Sequence, residues 1–268
     1  MTSEQVSTRT DSPAPRPRRI AFALLAWVFG AGGLGGLFGI GIVIGWFDSD
    51  EAGIHRVHDI GFGVLYGVLV TIAFWALTWR PETKPSVFLQ VVVTAVAVVI
   101  GALVSTDPGY LTIAAILLVA AAILLALHPA REEILRPKAR FSMPMGVFAV
   151  AGAVPLVWFG STAARLQRTG PPNDPHVSQG HWTTMASMAF GLVLVGLLAS
   201  ARIRGWRITA WCAGLGAAVY GLASIVFHRF PGTNVRYAGS EGIGWGLVAL
   251  IGGLAFVAVA EWEARRAA

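Results

Sequence analysis

A chain of 268 residues that is 55% hydrophobic and 13% charged carries about half the charged fraction of a soluble globular domain. That balance excludes a water-solvated globule and makes lipid the expected solvent. The net charge of +6 is carried in short loops between apolar runs, which argues against a nucleic-acid partner and for contact with anionic lipid.

Residues 1–17 are rich in Ser, Thr, Pro and Arg and hold almost no large apolar side chains, so they read as a disordered cytoplasmic tail. Arg16, Arg18 and Arg19 then precede an apolar run that reaches Phe47. A signal-peptide core spans only about 7 to 15 residues, so this run reads as a retained first helix. A bilayer core about 30 Å thick takes roughly 20 apolar residues per helical crossing. Runs of that kind recur at 20–46, 58–79, 87–105, 110–128, 145–166, 181–201, 208–228 and 241–261. The expected fold is therefore an all-α integral membrane protein with eight transmembrane helices.

The basic residues set the expected orientation, because cytoplasmic loops retain Lys and Arg. With the N-terminus inside, fifteen of the twenty basic residues fall on the inner side. Only Arg56, Arg165, Arg168, Arg229 and Arg236 fall outside. The expectation is a multi-pass protein of the cell membrane with both termini cytoplasmic. Trp46, Trp79, Trp182, Trp206 and Trp262 lie near span ends, where indoles anchor at lipid interfaces.

Glycines in the first span, Gly32 with Gly36, Gly35 with Gly39 and Gly41 with Gly45, recur every four residues and make a smooth stripe for close helix packing. Gly242, Gly244, Gly246, Gly252 and Gly253 give the last span a similar surface. Packing within the chain is the plain reading, and a homodimer or membrane-complex partner docking through these helices is the alternative.

Laying the first four spans on the last four aligns His58 with His181 and the loop at Arg80 and Lys84 with Arg202, Arg204 and Arg207. The chain then divides into two parallel four-helix repeats, residues 18–140 and 141–268, as in some transporters.

The chemistry gathers on the expected outer face. His55, His58, His176, His181 and His228 all fall there, with Asp48, Asp50, Glu51, Asp59, Asp107, Asp174 and Glu241. Imidazole with carboxylate suits a transition metal such as zinc, copper or iron. The expected metal ligands are His55, His58, Asp59, His176 and His181, with Asp59 alternatively orienting an imidazole. His58 and His181 could instead ligate haem b axially. Met185 and Met188 follow His181 on one helical face, where a thioether would favour Cu(I), although packing is their plainer role. Likewise, His176 and His228 could simply cap helices at the interface, and His128 beside Pro129 reads as a helix-end residue.

Other chemistries lack their residues. No lysine lies within a span to anchor a Schiff base, and no phosphate loop, GxSxG or CxxC is present. The leading expectation is an outward-facing His/carboxylate site binding a transition metal or haem for redox chemistry, metal handling or hydrolysis. Its alternatives are a transporter or lipid-handling protein, and a structural subunit of a membrane complex.

Overall fold

The computed structural model describes residues 16–31, 40–47, 56–228 and 242–266. All regular structure among them is helical. We number the helices α1 (Arg16–Ala31), α2 (Gly41–Phe47), α3 (Arg56–Leu77), α4 (Pro85–Ser105), α5 (Gly109–Leu127), α6 (Arg131–Leu135), α7 (Met143–Thr169), α8 (Pro175–Ser178), α9 (His181–Ser200), α10 (Trp206–Val226) and α11 (Ile243–Arg266). Seven of these, α3, α4, α5, α7, α9, α10 and α11, are long and apolar enough to cross a membrane.

The expected first span at 20–46 is represented by two helices, α1 and α2, and the glycines at 32–39 lie outside the described residues. Helix α1 begins at Arg16, inside the segment read as a tail. The cause is a set of partners for its first turn. Arg18 donates to the carbonyls of Ala126 and Leu127 at the end of α5, and Arg19 pairs with Glu82 at 2.9 Å. Those last-turn carbonyls have no partner within their own helix.

Local signals start and stop the other helices. Pro85 opens α4, where a missing N–H costs nothing. Ser142 caps α7 by accepting from the Met145 amide at 3.4 Å. Gly205, at φ +89°, turns the chain into α10 where a Cβ would lie 2.7 Å from the Lys84 Cα. Pro155 sits inside α7, which nonetheless continues to Thr169.

Helix α9 is the hub, packed against α3, α4, α7 and α10. Its first-turn histidine and its buried length place one end of the bundle under the loops at 106–108 and 170–180. We call this the histidine end. At the opposite, basic end, Arg202 pairs with Glu263 at 2.7 Å and Arg207 with Glu261 at 2.6 Å, while Arg204 bridges Glu133 and the Glu82 carbonyl. Lys84 caps α3 from the same side by donating to Ala76 and Trp79 carbonyls. Burial lowers its ammonium pKa.

Helix α3 departs from a regular α-helix over Gly63–Thr71, where it widens into a π-helix. The Ile72 amide bonds to the Gly67 carbonyl in the wider π pattern. Two side chains support this stretch. Thr71 donates to the Tyr66 carbonyl at 2.9 Å, and the buried Gln90 of α4 donates to the Leu69 carbonyl at 2.9 Å. Long π runs are uncommon and concentrate at functional sites.

Candidate functional site

Three imidazoles converge at the histidine end. His58 lies on the first turn of α3 and is 1% exposed, while His181 begins α9 and is 8% exposed. His176 lies on the short helix α8. The ring centroids are 4.8 Å apart for His58 and His176, 5.6 Å for His58 and His181, and 5.7 Å for His176 and His181. The bend that this requires between His176 and His181 is made by Gly180 at φ +68°, a conformation that favours glycine.

Asp174 fixes the loop. Its Oδ1 accepts from the His176 amide at 2.9 Å and contacts the His176 ring Nδ1 at 2.8 Å. Burial alone would raise the Asp174 carboxyl, but the His176 amide and ring hold it below the usual carboxylate range. Gln167 of α7 donates to the Val177 carbonyl at 2.8 Å and ties α8 down. Because Asp174 holds Nδ1, Nε2 is the His176 nitrogen suited to a ligand.

A second network steadies His181. Thr183 donates to Asp107 Oδ2 at 2.9 Å, and Tyr110 shares a hydrogen bond with Thr184. Asp107 thus places a carboxylate at the N-terminus of α9, where the helix dipole favours negative charge.

Aromatic side chains close the sides. Trp182 packs its ring 4.8 Å from His58 and 5.7 Å from His176, and Phe62 meets His181 edge-on at 5.5 Å. Trp182 is 4% exposed. The lipid-anchor role expected for it is therefore corrected: it faces inward because α9 is surrounded by other helices at that height. By contrast, Trp79 is 69% exposed at the basic end, as an interfacial indole would be.

A buried thioether lies one turn further along α9. Met185, one turn after His181, is completely buried, and its Sδ accepts from Tyr220 at 3.6 Å. Gly61, one turn after His58, faces it.

His55 lies outside the described residues. Asp59 is half-buried beside His58, and its backbone carbonyl packs against Gly41 of α2. His228 donates from Nδ1 to the Ile225 carbonyl at 2.7 Å, a contact at the end of α10. His128 ends α5 at the basic end, where its Nδ1 accepts from the Ala130 amide at 3.0 Å. Asp107, Asp174, Tyr110 and Trp182 were not singled out as site residues from sequence. The Asp174-Pro175 pair was the available signal, since Asp before Pro marks a helix start.

No family model, curated protein or solved structure matches this chain. What the site can do must therefore be argued from its own side chains. A tetrahedral ion bound about 2.0 Å from three imidazole nitrogens holds ring centroids roughly 5 Å apart. The observed separations of 4.8, 5.6 and 5.7 Å bracket that value. In their present orientations, no three His, Cys, Asp or Glu side chains among the described residues form a metal-holding group.

Proposed function

We propose that this multi-pass membrane protein carries a mononuclear transition-metal site at its histidine end, with His58, His176 and His181 as ligands and Asp174 orienting His176. The convergence of two buried imidazoles from α3 and α9 with the partly buried His176 of α8 carries this reading. Three protein ligands leave a coordination position open, as in metal sites that act on or exchange a bound species. The metal would supply Lewis acidity, or redox capacity if it is copper or iron. The chain's own residues hold the imidazoles in register, exclude lipid with Trp182 and Phe62, and keep Nδ1 of His176 on Asp174. Metal handling or redox chemistry follows from this set more directly than haem ligation does.

The proposed setting is the cell membrane, with the basic end cytoplasmic and the histidine end outside. We take α1 and α2 together as an eighth crossing. Their contacts run antiparallel along α3: Gly30 lies against Phe74 and Trp75, Ile42 against Gly63, and Gly45 against Ile60. Both termini would then be cytoplasmic. The proposed two-repeat organisation is supported by neighbour order. The helices α1, α3, α4 and α5 adjoin in sequence and α1 returns to α5, while α7, α9, α10 and α11 adjoin in sequence and α7 returns to α11.

Purified protein is expected to retain about one equivalent of zinc, copper or iron by elemental analysis, and the His58→Ala plus His181→Ala variant to lose it. Wild-type protein that takes up no metal after reconstitution with each ion would refute the site.

A lipid-handling role is the second reading. It is favoured by an open apolar cleft between α7, α9, α10 and α11, lined by residues including Pro155, Gly196, Ala217, Trp245 and Gly252. Photo-crosslinking from position 252 to a lipid in native membranes supports that reading; labelling only of bulk lipid in proportion to its abundance removes it.

A further inference from the structure

We propose that the cleft between α7 and α11 is a binding site for one unbranched acyl chain of a membrane lipid, held parallel to the helix axes. The inference rests on the lipid-handling reading above and names the ligand and its seat.

The lining sets the chemistry. No charged, hydroxyl or carboxamide side chain contributes to it, so a polar ligand would lose its hydration there without gaining partners. Spacing sets the direction. On α7 the lining residues Phe148, Gly152 and Pro155 lie at i, i+4 and i+7, and on α11 Trp245, Gly252 and Phe256 lie at i, i+7 and i+11. Each set is one stripe along its helix. The cleft therefore runs along the helix axes, the direction that lipid chains take in a bilayer. Val248 lines it and is 55% exposed, so its mouth opens on the outer surface of the bundle.

Size decides between occupants. The cleft offers about 80 Å³, and a water-sized group needs about 10 to 15 Å³ of such space. A short row of methylenes fits. A helix about 10 Å across does not, and α7 and α11 already adjoin. A fused-ring sterol is likewise wider than a single chain.

Two glycines leave the room. A Cβ on Gly152 or Gly252 would meet nothing within 4 Å, although both residues line the cleft. Gly214 differs, because a Cβ there would lie 2.7 Å from the Gly253 carbonyl oxygen. That pair closes α10 on α11. Gly152 and Gly252 are not needed for contact within the bundle, and a side chain on either would take the space of the ligand.

The test uses full-length protein in detergent micelles, titrated with a phosphatidylcholine that carries a photoreactive diazirine on one acyl chain and, separately, with a photoreactive sterol. Crosslinked peptides are mapped by mass spectrometry. Labelling of the α7 and α11 cleft residues by the acyl probe is expected to saturate at one lipid per protein. Gly252→Leu, which fills the cleft, should lower that labelling by at least about 10-fold, whereas Gly244→Leu should leave it within about 2-fold. Gly244 is the control because a Cβ there also meets nothing within 4 Å, yet it does not line the cleft. A melting temperature near that of wild type reports that each variant still folds. Equal acyl labelling of wild type and Gly252→Leu, or saturable labelling of the cleft by the sterol alone, would overturn the acyl-chain site and leave the lipid-handling reading standing. Labelling by both probes that never saturates and is as strong along α5 as in the cleft would overturn both.

Discussion

Asp174 and His176 are joined twice, through the His176 amide at 2.9 Å and its ring Nδ1 at 2.8 Å, both to the same carboxylate oxygen. One atom therefore starts helix α8 and aims the imidazole. His176 sits on a helix of only four residues, so this carboxylate contact fixes both the start of that helix and the ring it carries.

Replacing that carboxylate should weaken the site without unfolding the bundle. Asp174→Asn keeps an acceptor oxygen but removes the charge that orients and polarises the ring. Metal affinity is expected to fall roughly 10- to 100-fold, as for other carboxylates behind ligating imidazoles, with thermal stability nearly unchanged. The sign of the pH effect follows from the lowered carboxyl. Its folded pKa lies below the unfolded value, so its contribution is present above about pH 3.9 and is lost as pH falls through the folded pKa. Chelator competition at neutral pH checks the affinity. Equal affinities in the two proteins would show that Asp174 only caps α8.

His128 provides a pH test at the other end. It is fully buried between Phe22 and Phe88, whose rings lie 5.0 and 5.6 Å away. Burial, then the nearby Arg18 and Arg204, lower its pKa to about 4. The unfolded chain takes its proton first, near pH 6.5. Stability from the neutral ring is thus complete above that pH and declines as pH falls towards 4. The shift corresponds to a loss on the order of 3 kcal/mol. His128→Asn retains an acceptor for the Ala130 amide and cannot titrate. Its melting temperature should therefore vary less than the wild type's between pH 6.5 and about 4. Parallel melting curves would remove His128 as the cause.

The last-span glycines divide sharply by position. A Cβ on Gly246 would lie 2.7 Å from the Gly221 carbonyl oxygen of α10, whereas nothing lies within 4 Å of one on Gly252. Backbone cannot yield as a flexible side chain can. Gly246→Val should therefore destabilise by about 1 to 3 kcal/mol through overpacking, and Gly252→Val should be nearly neutral. Thermal denaturation of both variants in the same detergent makes the comparison, and equal losses would mean that α10 and α11 can separate freely.

These contrasts show what the sequence could reveal. Apolar runs such as 85–105 and 181–200 announce themselves because lipid demands length and hydrophobicity, whatever lies beside them. The approach of His58 to His181 followed from matching their places at two span starts. Burial within the bundle was not legible, because lipid-facing and helix-facing positions are equally apolar. Trp182 therefore read as an anchor. The π stretch was hidden for the same reason: GVLYGVLVT is apolar around its whole circumference and carries no periodicity to mark a wider helix. Asp174 is local in sequence, yet its bond to the His176 ring depends on a rotamer that spacing does not specify.

Gln90 is where that hidden feature becomes testable. Its Nε2 donates to the Leu69 carbonyl inside the π stretch, at a fully buried position between α3 and α4. Leucine has nearly the same volume and no donor, so Gln90→Leu leaves that carbonyl without its side-chain partner. An unsatisfied buried group costs about 1 to 3 kcal/mol, and in a lipid-facing bundle water does not replace the bond. The stretch also sets the rotation of α3 between its Gln90 contact and His58. Loss of the bond should lower the melting temperature and weaken metal retention together, whereas Ser224→Ala on α10, which removes only a bond to the Tyr220 carbonyl within the same helix, should change neither by much. A Gln90→Leu protein that melts like wild type would show that the π geometry is held by packing alone. Reduced stability with unchanged metal affinity would separate the π stretch from the site.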